Sequence, residues 1–204
     1  MKLPSFTELK PEQLAIYEQP ADKSILVVGP PGSGKTSLAI WRARFIAAQG
    51  QSVVLLTKNR MLVALASQLA GEHGGQSVQT STMHSYAWNE YRKHFASNPP
   101  TLGEYNYDWS TFLRQYGEKD IAPSLDHLIV DEGQNLPPQF FVWAKRFCAS
   151  TVSVFADEHQ TTTAGGSTMA DLQAAGFTTL YPLLENHRNT WEIAKGLLTN
   201  NLFN

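Results

Sequence analysis

Short, unbroken apolar runs alternate along the chain with stretches whose apolar residues recur at helical spacing. Residues 24–28, 52–57, 125–130, 151–156 and 178–183 read as buried strands, and 77–80 as a shorter one. Helical patterns fill the intervals at 35–48, 60–72, 84–95, 138–148, 169–175 and 190–199. Continuous apolar strands alternating with helices predict an α/β fold, a parallel sheet covered by helices on both faces. One segment, 96–126, breaks this rhythm. It opens on Asn98-Pro99-Pro100 and carries Tyr105, Tyr107, Trp109, Phe112 and Tyr116, so it reads as a small, partly helical insertion into a single domain spanning 1–204.

Composition adds limits rather than detail. A chain of 204 residues with 42% hydrophobic side chains can bury a core without staples. Its net charge of −2 argues against wrapping nucleic acid by bulk electrostatics, but leaves room for a small basic cleft. Cys148 is the one cysteine, so neither an internal disulfide nor a cysteine zinc site is available. The first six residues lack an apolar signal core, and no run approaches the length of a membrane helix. The expectation is a cytoplasmic protein with no membrane association.

Candidate chemistry begins where the first strand ends. Gly29-Pro30-Pro31-Gly32-Ser33-Gly34-Lys35-Thr36 fits G-x-x-x-x-G-K-[ST], between an apolar strand and a helix. Glycines let backbone N–H groups turn toward phosphate oxygens, and the helix start, through Ser37, adds its positive dipole end. Lys35 is expected to reach the outer phosphates of ATP, and the Thr36 hydroxyl to ligate Mg²⁺. A second run, Leu128-Ile129-Val130, ends in Asp131-Glu132. Ligands of open α/β sheets lie beyond the carboxyl ends of strands. Asp131 is therefore placed to hold the metal and Glu132 to take a proton from an attacking water.

The remaining motifs make the chain resemble UvrD/Rep-type superfamily 1 DNA helicases over almost its whole length. Pro11-Glu12-Gln13 is similar to the family's Q motif, Val53 through Arg60 to motif Ia, and Thr80 through Ala87 to its T-x-H-S-x-A segment. Asp131-Glu132-Gly133-Gln134 matches D-E-x-Q, Ala156 through Gln160 resembles motif III, and Leu184 through Thr190 resembles motif IV. The resemblance implies the first RecA-like, P-loop NTPase domain of such a motor. It implies that Gln13 binds adenine, Gln160 senses the γ-phosphate, and Arg188 stabilises γ-phosphate charge as a finger. The lesser reading of Arg188 is a surface ion pair near a helix start. The resemblance also implies single-stranded DNA as a partner, running past Thr57, Asn59, Thr82 and His84. The sequence departs from the family with Ala156 for glycine, His187 for tyrosine and Asn135 for an acid.

The aromatic residues carry less. Tyr86 or Trp88, then Tyr91 and Phe95, recur at helical spacing and are expected in the core rather than against bases. Tyr105, Tyr107 and Trp109 are expected to pack the insertion. The chain ends soon after the motif IV segment, so the second RecA-like domain is expected to be missing, or supplied by a partner protein in trans. Slow turnover and no unwinding follow for the isolated chain. A nucleotide-dependent protein-interaction module remains a second reading, and a small-molecule kinase a third, which Glu132, Gln134 and Gln160 disfavour.

Overall fold

The computed structural model describes residues 6–58, 78–104, 106–157 and 165–184. Six strands form one sheet: β1 (Leu26–Gly29), β2 (Val53–Leu56), β3 (Gln79–Ser81), β6 (Leu125–Val130), β7 (Ala149–Asp157) and β8 (Leu180–Pro182). Their order is β3-β2-β6-β7-β1-β8, and every neighbouring pair is parallel. β7 thus lies between the glycine-loop strand β1 and the acid-bearing strand β6. The helices expected at 60–72 and 190–199 lie outside the described residues.

Strand periodicity sorts the core into two layers. Ile25, Val27, Val53, Leu55, Ile129 and Phe155 face one side and pack against helices α1 (Pro11–Tyr17) and α2 (Lys35–Ala48). Leu26, Val28, Val54, Leu56, Leu128, Val130 and Val154 face the other. There they meet α3 (Met83–Phe95), α4 (Trp109–Glu118) and α5 (Pro138–Trp143), with α6 (Met169–Ala174) alongside. The α/β class with helices on both faces is as expected.

Local signals explain most boundaries. The α2 helix starts after Gly34 and stops at Gln49, before Gly50 at φ 81°. Thr82 caps α3 by accepting from Ser85 N, and Asp108 caps α4 by accepting from Thr111 N. The α5 helix takes Pro138 in its first turn and continues as a wider π-helical stretch, Ala144–Cys148. Seven residues make α1 too short to stand on propensity. It is held instead by Arg42 of α2, which is fully buried and donates to the carbonyls of Tyr17 (3.0 Å), Gln19 and Pro20 (2.6 Å).

The insertion forms a two-stranded hairpin, β4 (Thr101–Gly103) and β5 (Asn106–Tyr107), followed by α4. Its aromatics do more than pack the insertion. Tyr107, Trp109, Phe112 and Tyr116 belong to the same core as Phe140 and Trp143 of α5, with the Phe112 and Tyr116 rings stacked at 5.2 Å. Tyr91 is buried there too, and Tyr86, Trp88 and Phe95 pack partly buried against the same core.

Candidate functional site

The loop after β1 is built by close approach. Gly32 and Gly34 both hold φ near 86°, the left-handed region that penalises any side chain. A Cβ on Gly34 would lie 2.7 Å from Gln13 Nε2. Gln13 reaches this position from α1: its Nε2 donates to Ser33 O at 3.1 Å, and its Oε1 accepts from Lys10 N at 3.0 Å. Gln13 therefore struts the loop backbone. One amide hydrogen and one lone pair are left for any further contact. Ser33 is fully buried, with its N–H donating to Pro30 O at 3.2 Å. Pro31 is exposed, while Pro30 and Ser37 are half-buried.

Lys35 lies inside this loop. Its Nζ donates to Gly29 O and Pro30 O, both at 2.7 Å, and stands 3.7 Å from Asp157 Oδ2. Asp157 closes β7 just as Asp131 follows β6, and both are 6% exposed. The same signal, an acid after a buried strand, marks Asp157 in the sequence. Asp157 stands three residues before Gln160, within the segment that resembles motif III.

Asp131 is where the loop and the second motif meet. Thr36 Oγ1 donates to its Oδ1 at 3.2 Å, and Thr57 Oγ1 donates to its Oδ2 at 3.3 Å. Burial, and secondarily the neighbouring Glu132 charge, push the Asp131 carboxyl up to about 6, against the two hydroxyl donors. A divalent cation would remove that penalty. Among the described residues no group of three or more His, Cys, Asp or Glu is arranged to hold a metal. One carboxylate beside one hydroxyl instead fits Mg²⁺, which keeps most of its shell as water and phosphate oxygens.

Glu132 is exposed and sits at φ 55°, ψ 42°, a left-handed conformation costing on the order of 1 kcal/mol or more in a non-glycine residue. Its Oε2 accepts from Asn135 Nδ2 at 3.3 Å. The next residues bind this turn to β7. Gln134 Oε1 accepts from Asp157 N at 3.0 Å, its carbonyl accepts from Ser167 N at 3.1 Å, and a Cβ on Gly133 would collide with Val154 Cγ1.

The expected strand-contacting residues separate. Thr57 is 4% exposed and its hydroxyl is turned onto Asp131, so its placement is that of a carboxylate buttress. Thr82 caps α3 and donates to Ser85 Oγ at 3.1 Å. His84 is half-buried, its basicity lowered by burial and then by nearby Lys58. Thr57, Lys58, Thr82 and His84 line one small pocket, about 100 Å³, with Asp131 and Glu132. Asn59, Gln160 and Arg188 lie outside the described residues. No helix among the described residues is long and apolar enough to cross a membrane.

Among solved structures, the Pif1 helicase from Candida albicans aligns with a TM-score of 0.58 at 17% identity, covering 95% of this chain and 44% of that one. Bacteroides Pif1 in complex with ADP-AlF3 and ssDNA gives 0.48 at 17%, covering 98% and 46%. The Pyrococcus furiosus Hef helicase domain gives 0.49 at 16%, covering 90% and 39%. The chain spans less than half the length of each. No curated protein matches it. A model of the AAA domain family (AAA_30) matches residues 8–197. Family and fold agree with the superfamily 1 RecA-like domain that the motifs imply, without singling out the UvrD/Rep branch. The matched span takes in the glycine loop, both strand-end acids and the whole described sheet, so the chain belongs to the AAA domain family and has a RecA-like P-loop fold.

Proposed function

We propose that the chain is the first motor domain of a superfamily 1 DNA helicase, binding Mg·ATP and hydrolysing it to ADP and phosphate. One observation carries the reading: the Thr36 hydroxyl lies 3.2 Å from the Asp131 carboxylate, at the start of a helix that opens on a glycine loop. These two side chains are 95 residues apart in the chain. The Pif1 fold and the family match support the same class.

In this reading the backbone of Gly29 through Ser37 cradles the phosphates, and Lys35 shifts from the Gly29 and Pro30 carbonyls onto phosphate oxygens. Thr36 and Asp131 hold Mg²⁺, which neutralises phosphate charge when bound; Thr57 keeps the Asp131 carboxylate turned toward it. Glu132 takes the proton of the attacking water as its oxygen bonds to the γ-phosphorus and the bond to ADP breaks. Gln13 contacts the adenine edge with its remaining amide valences, Gln160 reports the γ-phosphate, and Arg188 offsets its charge. Thr82, His84 and Asn59 contact single-stranded DNA. A second RecA-like domain, or a partner protein in trans, completes the site; an arginine supplied across such a cleft is worth about 10³–10⁵ in rate.

Steady-state phosphate release, with and without single-stranded DNA, tests this on wild type, Lys35→Ala and Glu132→Gln. Loss of release in both variants, with ATP still bound by Glu132→Gln, supports the assignment. Equal release by Lys35→Ala opposes it.

A further inference from the structure

Outside the loop site, an open groove of about 570 Å³ lies between α3 and the β4–β5 hairpin. His84, Ser85, Trp88 and Asn89 line it from the helix, and Thr101, Gly103, Glu104 and Tyr107 from the hairpin. No role assigned above uses Trp88, Asn89 or Glu104. We propose that this groove receives one unstacked base of the single DNA strand, and that Glu104 makes it prefer bases carrying an exocyclic amino group.

Three observations support that occupant. The lining joins a half-buried indole and two further rings with an amide, a carboxylate and hydroxyls; flat π surface edged by hydrogen-bonding groups suits a base. The groove also shares His84 with the small pocket of Thr57, Lys58, Asp131 and Glu132, so it continues outward from the catalytic loop. Two cations lie near it: Lys58 lines the adjoining pocket with His84, and Arg92 stands one turn beyond Ser85, Trp88 and Asn89 by helical spacing. An anionic backbone can pass over both cations with its base turned inward.

Glu104 sets the chemistry of the base edge. An ionised carboxylate accepts and cannot donate. It pairs with the amino group of cytosine and opposes the O4 carbonyl of thymine, two pyrimidines of the same size. The inference rests on the DNA-strand reading above, but not on the P-loop.

The test measures binding of labelled oligo-dC and oligo-dT to the whole chain by anisotropy at low salt, with ATP binding followed separately by equilibrium dialysis. We expect several-fold tighter binding of oligo-dC. Glu104→Gln, at an exposed position, should narrow the difference to under twofold. Trp88→Ala should weaken both oligomers roughly tenfold, the loss of one base–aromatic stack, with ATP binding unchanged. Equal affinity for the two oligomers, or a preference that survives Glu104→Gln, overturns the proposal. Failure to bind either oligomer while ATP still binds overturns it and leaves the P-loop reading intact. Base discrimination without ATP binding supports the groove and sinks the nucleotide site.

Discussion

Asp131 and Lys35 show what single side chains do here. The Asp131 carboxyl is pushed up to about 6 in the folded chain against an ordinary 3.8, so its charged form is disfavoured by burial. The folded state therefore binds the proton more tightly, and without metal this group's contribution to stability falls as pH rises from about 4 to about 6. At pH 8, Asp131→Asn should melt higher than wild type in the presence of a chelator, by an amount on the order of 1–3 kcal/mol. Adding Mg·ATP should reverse the order, since the amide is a poor ligand for a hard cation. A wild type that melts above Asp131→Asn under chelation would oppose this account. Glu132→Gln should keep nucleotide affinity while lowering turnover about 10²–10⁴-fold, measured by phosphate release. The placement of Lys35 in the glycine loop and of Thr36 against Asp131 was legible because each sits in a motif whose spacing encodes its neighbour. Thr57 was not: a hydroxyl at a strand end suits a phosphate contact, and nothing local says that a carboxylate 74 residues away lies 3.3 Å from it.

At the scale of elements, the P-loop is held from both sides by α1 and α2. Gln13 braces it from α1, and Arg42 of α2 holds the end of α1 through three carbonyls. Burial lowers the Arg42 guanidinium to about 10, so it stays charged at neutral pH. Arg42→Met should leave those carbonyls unsatisfied and lower stability by about 3–5 kcal/mol, read as a loss of midpoint in urea. A loss below about 1 kcal/mol would mean that α1 is held by other contacts. The α2 helix was legible to its residue bounds because the glycine loop and Gly50 punctuate it. The α1 helix was read only as a motif, since seven residues give no usable period. The insertion was seen, but its packing was not. Its aromatics follow local spacing that is equally compatible with a separate cluster, and only the tertiary contact with Phe140 and Trp143 merges them into the main core.

At the scale of the whole molecule, His127 ties the sheet to the segment ahead of β1. Its ring is fully buried, with Nδ1 2.7 Å from Ala21 O and Nε2 2.8 Å from Ser153 Oγ. A neutral ring protonated on Nδ1 satisfies both partners. Burial depresses its pKa to about 4 from 6.5, so the unfolded chain takes up the proton first. The stability carried by the neutral ring is complete above about pH 6.5 and is lost as pH falls toward 4. Asp131 changes in the opposite sense between 6 and 4 and masks part of this. In an Asp131→Asn background the urea midpoint should therefore fall steadily over that window, and a flat profile would contradict the buried neutral histidine. The claim on which the rest depends is that the loop of β1 and the acid of β6 together hold a triphosphate and its metal. Melting with and without Mg·ATP measures it most directly. At about 100 times the dissociation constant, ligand binding adds about 2.7 kcal/mol, or roughly 5–10 °C for a chain of this size. The account predicts that rise in wild type and its loss in Lys35→Ala. An unchanged wild-type melting temperature at saturating Mg·ATP would contradict it.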